Sequence, residues 1–158
     1  MEISALAKWI KGISALTKGK PETAIKRLDE AAAIFYQTNK EHEAAQTQVS
    51  KLYALALLGN YNEAIKIGKK ILKIFEKVGD ELAAGKIEKN IGNIFWRRDF
   101  YKKAENNFLS AQKRFTKIKN QEGLAMVENC LSTVCSADCL FRKRIITKPE
   151  SISGERWN

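Results

Sequence analysis

Three stretches of the chain carry the same apolar stripe. Ala24, Leu28, Ala31 and Phe35 recur as Ala64, Gly68, Ile71 and Phe75, and again as Ala104, Phe108, Ala111 and Phe115. A spacing of i, i+4, i+7, i+11 runs along one face of an α-helix, whereas one face of a strand needs a period of two. Ahead of each stripe stands a turn signal: Gly59-Asn60-Tyr61-Asn62-Glu63-Ala64 returns 40 residues later as Asp99-Phe100-Tyr101-Lys102-Lys103-Ala104, and more faintly as Gly19-Lys20-Pro21-Glu22-Thr23-Ala24 at the start of the chain. Between the stripes lie further helical patterns. Asp80 is placed to cap a helix running to about Arg97, Arg98-Asp99 make a turn, and a second helix runs from about Tyr101 to Ile118. Thr38-Asn39-Lys40-Glu41 has the form of a capping box, Leu58-Gly59-Asn60 breaks the chain, and Val78-Gly79-Asp80 ends another helix.

Units that recur at such a period cannot bury a core alone and must stack on their neighbours. The expected architecture is all-α: antiparallel helix pairs over about 1–38, 39–79 and 80–119, a partial unit over 120–141, and a tail over 142–158. The two prolines, Pro21 and Pro149, leave the interior runs of Ala, Leu, Ile, Lys and Glu free to form helix. In the fourth unit Phe141 falls where Tyr101 does, but Arg144 replaces the small Ala104, and Lys148 to Gly154 reads as a loop.

Ile91-Gly92, Phe95, the turn at Asp99, Tyr101, Ala104, Phe108 and Ala111 together resemble the tetratricopeptide repeat pattern L-G, Y, G-x-Y-x-x-A, F and A. The resemblance covers about residues 1–141 and is strongest over 41–120. It departs from the family in its 40-residue period and in lacking the proline usual at the end of the second helix. The longer unit is similar to repeats of bacterial regulators, of kinesin light chains and of arrays attached to caspase-like domains. It implies a right-handed superhelix of about three and a half repeats, with first helices lining a concave groove.

Charge adds a second theme. The chain carries a formal +10, and the excess of Lys and Arg is +2 over 1–60, +8 over 61–119 and nil over 120–158. A basic middle attracts acidic peptides, nucleic acid or anionic surfaces. On the second helices Lys66, Lys69, Lys70, Lys73 and Lys77 are followed by Lys102, Lys103, Lys113 and Arg114, a pattern read as a solvated outer face. Cys130, Cys135 and Cys139 match neither a metal pair nor a disulfide framework, and are expected to be small apolar residues on one helix face in a reducing compartment. No run approaches the roughly 18 apolar residues of a membrane span. The expected setting is cytoplasmic, with no membrane partner.

Carried over residue by residue, the resemblance implies a groove graded from apolar to cationic. Trp9, Ile13, Val49 and Tyr53 form its apolar part; Lys86, Lys89, Asn93, Trp96, Arg97 and Asn129 form the cationic and amide-rich part. Such a groove suits a peptide with apolar anchors and an acidic group, since Lys and Arg make charge-assisted hydrogen bonds to carboxylate. The Lys89/Asn93 pair resembles one part of the carboxylate clamp of chaperone-binding repeats; the rest of that clamp has no clear match, since Cys130 stands where an Asn is expected. His42 is expected on the surface; no nucleophile, phosphate-binding or metal-ligand motif accompanies it, so neither catalysis nor a cofactor is expected. The reading is a protein-interaction scaffold or adaptor. Its alternatives are a basic-surface binder of nucleic acid or an acidic partner, and a regulatory arm docking on a separate enzyme such as a caspase-like protease. Apolar ends (Leu6, Trp9, Ile10 and Ile13; Leu131, Val134, Cys135, Leu140 and Phe141) lead to the expectation of a homodimer or of docking on a larger protein.

Overall fold

The computed structural model describes residues 1–146, with backbone alone for residues 138 and 141–146. Seven helices account for nearly all of them, and no strand occurs among the described residues: α1 (Glu2–Thr17), α2 (Pro21–Gln37), α3 (Glu41–Leu57), α4 (Tyr61–Val78), α5 (Glu81–Arg97), α6 (Tyr101–Lys117) and α7 (Gln121–Ile146). The last helix continues past Phe141, where the sequence pattern stops; the loop expected at Lys148 to Gly154 lies outside the described residues.

Six turns join them, and all six are built alike. Residues 19, 39, 59, 79, 99 and 119 adopt the left-handed conformation, with φ between 53 and 76°. The next residue in each case (Lys20, Lys40, Asn60, Asp80, Phe100, Asn120) donates its N–H five residues back, to the carbonyls of Ala15, Phe35, Leu55, Phe75, Phe95 and Phe115, at 2.8–3.0 Å. This is the Schellman closure, which satisfies the otherwise orphaned carbonyls of a helix end. The carbonyl of that same residue then starts the next helix. In five of six cases it accepts from an alanine, Ala24, Ala44, Ala64, Ala84 or Ala104, each fully buried. The backbone unit is therefore 20 residues, half the period of the side-chain pattern. Gly19, Gly59 and Gly79 tolerate positive φ without a Cβ clash, and Asn39 and Asp99 tolerate it through short polar side chains. Lys119 has neither advantage.

Thr38 stands in one of these turns and corrects the expected capping box. Its hydroxyl donates back to the carbonyls of Ile34 and Phe35 at 3.0 and 3.1 Å, closing α2 rather than opening α3. The Schellman closure consumes three residues, so the cap position falls to Lys40. Asp80 does cap α5, its Oδ1 accepting from the Ala83 N–H at 2.9 Å. Asn120 caps α7 in the same manner through the Gly123 N–H.

Short turns force consecutive helices antiparallel, and each helix packs on the next. The first helices also touch one another in sequence, α1 on α3, α3 on α5 and α5 on α7, while α2, α4 and α6 make no such approach among themselves. An array closer on one layer than the other curves toward the closer layer. The first helices thus line the concave side and the second helices spread over the convex side, in an all-α helical solenoid.

The three stripes read from sequence are the buried faces of α2, α4 and α6. Gly85 and Gly92 on α5 let the aromatics in: a Cβ at Gly92 would lie 2.6 Å from the Phe108 ring, and one at Gly85 2.8 Å from that of Phe115. Phe115 also lies against Gly123 of α7, so one ring locks two successive units together.

Candidate functional site

Between α3 and α5 the concave layer opens into a hollow of about 190 Å³. Tyr53, Ala56 and Leu57 come from α3, and Lys89, Asn90, Asn93 and Arg97 from α5, with Leu52 and Ile94 behind them. The α5 residues stand at i, i+1, i+4 and i+8, one face of a helix. Tyr53 is 55% and Leu57 48% exposed, which leaves an aromatic ring and an isobutyl group facing water across from two cations. Among the described residues no carboxylate pairs with Lys89 or Arg97.

Four of the ten residues expected in a groove meet here: Tyr53, Lys89, Asn93 and Arg97. Trp9 does not. Its ring packs edge-on against Phe35, centroids 6.4 Å apart, between the small clusters that join α1, α2 and α3. Val49 packs against the main core. Both are drawn inward because helices joined by three-residue turns offer large apolar side chains more burial between elements than on the open face. Ile13 is 42% exposed and stands, 40 residues earlier, at the register of Tyr53. Lys86, Trp96 and Asn129 are exposed but outside the hollow. Asn90 was missing from the expected set; as the neighbour of Lys89 one turn before Ile94, it could have been found by following the helical face instead of the family positions.

Asn93 is held from a third helix. The Cys130 thiol of α7 approaches its Oδ1 at 3.7 Å, a weak S–H···O contact. Burial pushes the thiol pKa up, against the pull of Lys89, so the group stays protonated and able to donate. The residue in place of an Asn therefore orients the Asn93 amide. Cys130 is half-buried, whereas Cys135 and Cys139 are exposed.

Several outer-layer assignments change. Arg114 is not part of a solvated stripe: Nε and Nη2 meet Glu88 at 2.9 and 3.1 Å, Nη1 meets Glu81 at 2.8 Å, and Glu76 closes the set. Glu88, then Glu81 and Glu76, hold the guanidinium pKa above its ordinary value. Ser110 donates to Glu88 at 2.8 Å and Lys117 meets Glu81 at 2.6 Å. Opposite charges from α4, α5 and α6 converge because the turns bring them into register, which no linear spacing reveals. His42 sits 2.9 Å from Asp80 and edge-on to Phe75, joining two units. At the ends, Leu6, Ile10 and Ile13 are exposed, Val134 is buried against the Phe108 and Phe115 cluster, and the Phe141 side chain lies outside the described residues.

Among the described residues no helix is long and apolar enough to cross a membrane, and no group of three or more His, Cys, Asp and Glu side chains could hold a metal ion. Comparison with protein families and with curated proteins finds no match for this chain.

Proposed function

We propose that this chain is a tetratricopeptide-like adaptor, acting in a reducing cytoplasm without chemistry of its own, that holds an acidic peptide segment on its concave side. The observation that carries the reading is the α3–α5 hollow, where exposed apolar side chains face Lys89 and Arg97, two cations that pair with no carboxylate among the described residues. Unpaired Arg and Lys beside an aromatic ring suit a carboxylate next to an apolar side chain: the ring and Leu57 cover the apolar part, and the cations hydrogen bond to the oxygens. Asn90 and Asn93 present amides that pair with peptide backbone as donor and acceptor. The hollow admits only one or two side chains, so the remaining contacts run along the layer toward Ile13 on one side and Asn129 on the other.

Titration with a fluorescent peptide of alternating Leu and Glu tests the reading. Binding should be lost in the Lys89→Glu/Arg97→Glu double variant, with helicity and melting temperature unchanged, because exposed charge swaps stay within about 0.5 kcal/mol of stability. Tyr53→Ala should weaken binding while leaving its salt dependence in place. An unaltered affinity in the double variant would remove the hollow as the site.

A further inference from the structure

The convex layer contains a second hollow, about 350 Å³, between α2 and α4 with α3 as its floor. Tyr36, Gln48, Lys70 and the Lys51–Asp29 ion pair supply its polar edges, and Ile67 and Ile71 an apolar wall. Forty residues further on, the corresponding gap between α4 and α6 is already filled, by the guanidinium of Arg114. In that filled gap Glu76, Glu88 and Ser110 surround a planar cation. The matching positions in the open gap are Tyr36, Gln48 and Lys70, while Ile74, buried in the core, stands in place of Arg114. Two of the three carboxylates become a phenol and an amide, the third is kept as Glu41, and a hydroxyl becomes an ammonium.

From the same edge a row of lysines continues along α4. Lys66, Lys70, Lys73 and Lys77 follow one helix face over about 16 Å at 1.5 Å per residue, with Lys69 alongside. All five are exposed, and among the described residues only Lys77 has an ion-pair partner, Glu41 at 3.9 Å. Of the carboxylates nearby, Glu76 and Glu81 are taken by Arg114 and Asp29 by Lys51, while Glu63, one turn before Lys66, is exposed and has no ion pair among the described residues.

We propose that this convex face binds single-stranded nucleic acid, one base entering the α2–α4 hollow beside Tyr36 while the phosphates follow the α4 lysine row. A planar heterocycle matches the shape that Arg114 occupies in the neighbouring gap. Tyr36, 41% exposed, offers it a ring face, and Gln48, one N–H of which reaches Asp29 at 3.4 Å, offers its amide oxygen and second N–H to a base edge. The ammonium row supplies the sequence-independent attraction. A membrane fits less well, since Ile67 and Ile71 line a recess instead of projecting as the apolar anchors that an interfacial helix inserts. A duplex would need an element to enter a groove, whereas α4 is packed on α3 and α5 and presents its lysines as part of a layer instead of as a projecting element.

Anisotropy of short labelled oligo(dT) and oligo(U) against the full chain tests this. Affinity should fall with log salt at a slope of about −2 to −3, as three or four phosphate contacts on a single strand require. Lys70→Ala with Lys73→Ala should flatten the slope by about 1.4, at about 0.7 per contact. Tyr36→Leu should lower affinity roughly tenfold with the slope unchanged, the signature of lost stacking. The concave-face variant Lys89→Glu/Arg97→Glu should keep most of the single-strand affinity, which separates this site from the peptide hollow. The proposal is overturned by an absence of binding at low salt. It is equally overturned by affinity that Tyr36→Leu leaves intact and poly-glutamate reproduces, or by binding to vesicles of anionic lipid without binding to either oligonucleotide.

Discussion

Two gaps in the convex layer share one backbone frame and differ in what fills them. Between α4 and α6, Arg114 reaches across to Glu76 and down to Glu81 and Glu88, and the outer helices are tied together. Between α2 and α4 no such side chain reaches across: Ile74 turns into the core at the position of Arg114, and a hollow of about 350 Å³ remains. Second helices in both places stand too far apart to touch through their backbones. The difference teaches that the solenoid frame does not itself decide whether an outer gap is structure or site. One residue at the right register does. Glu88, nearly buried, needs Arg114; Gln48, neutral, needs no cation and reaches Asp29 at 3.4 Å, and its gap stays open.

The largest effects should come from beneath the filled gap. Phe115→Ala removes the ring that locks Gly85 to Gly123 and should cost about 3 to 5 kcal/mol in urea unfolding. Phe75→Ala, its counterpart beneath the open gap, falls in the same range, so a melting temperature within a degree or two of the parent for either would show that the aromatics do not carry the stacking. Arg114→Met should follow at about 1 to 3 kcal/mol, since it strands the Glu88 carboxylate without a cation. Restoring neutrality with Glu88→Gln in the same chain should recover much of that loss; no recovery would mean that Arg114 acts through packing alone. Gly92→Ala, which pushes a methyl toward the Phe108 ring, should cost about 1 to 3 kcal/mol.

A smaller and pH-dependent contrast comes from the carboxylates around the filled gap. Lys117 and Arg114 hold Glu81 below its ordinary 4.5. Burial pulls the Asp80 carboxyl upward, but the Ala83 N–H and His42 outweigh it and hold it below its ordinary 3.8. A carboxylate whose folded pKa is depressed contributes stability that is present above its unfolded pKa and is lost as pH falls through the folded one. Stability should therefore drop on acidification below about pH 4.5, and less steeply in Arg114→Met and in Asp80→Asn, as followed by circular dichroism at low ionic strength. Parallel acid limbs in all three chains would show that these carboxylates are not the groups being protonated. The smallest change is expected from the α4 lysines. Lys66→Ala and Lys73→Ala should alter stability by under about 0.5 kcal/mol, because neither has an ion-pair partner among the described residues.

Sequence by itself determined the helices and their buried faces. The stripes ending in Phe35, Phe75 and Phe115 were legible because burial on one helix face imposes a local period, and Asp80 was legible as a cap because capping acts over three residues. The 20-residue turn unit was half hidden, since Asn39, Asp99 and Lys119 take the left-handed conformation without the glycine that advertises it. Part of the concave hollow was expected from the family resemblance, which named Tyr53, Lys89, Asn93 and Arg97 among its groove residues; the structure lines one hollow with these four. Only the tertiary structure decided the rest. It drew Trp9 and Val49 into the packing, paired Arg114 with three carboxylates up to 38 residues away, and set Tyr36 beside Lys70 on different helices. These are contacts between elements, fixed by the angle and spacing at which helices stack, and a linear pattern carries the period of each helix but not the distance to its neighbour.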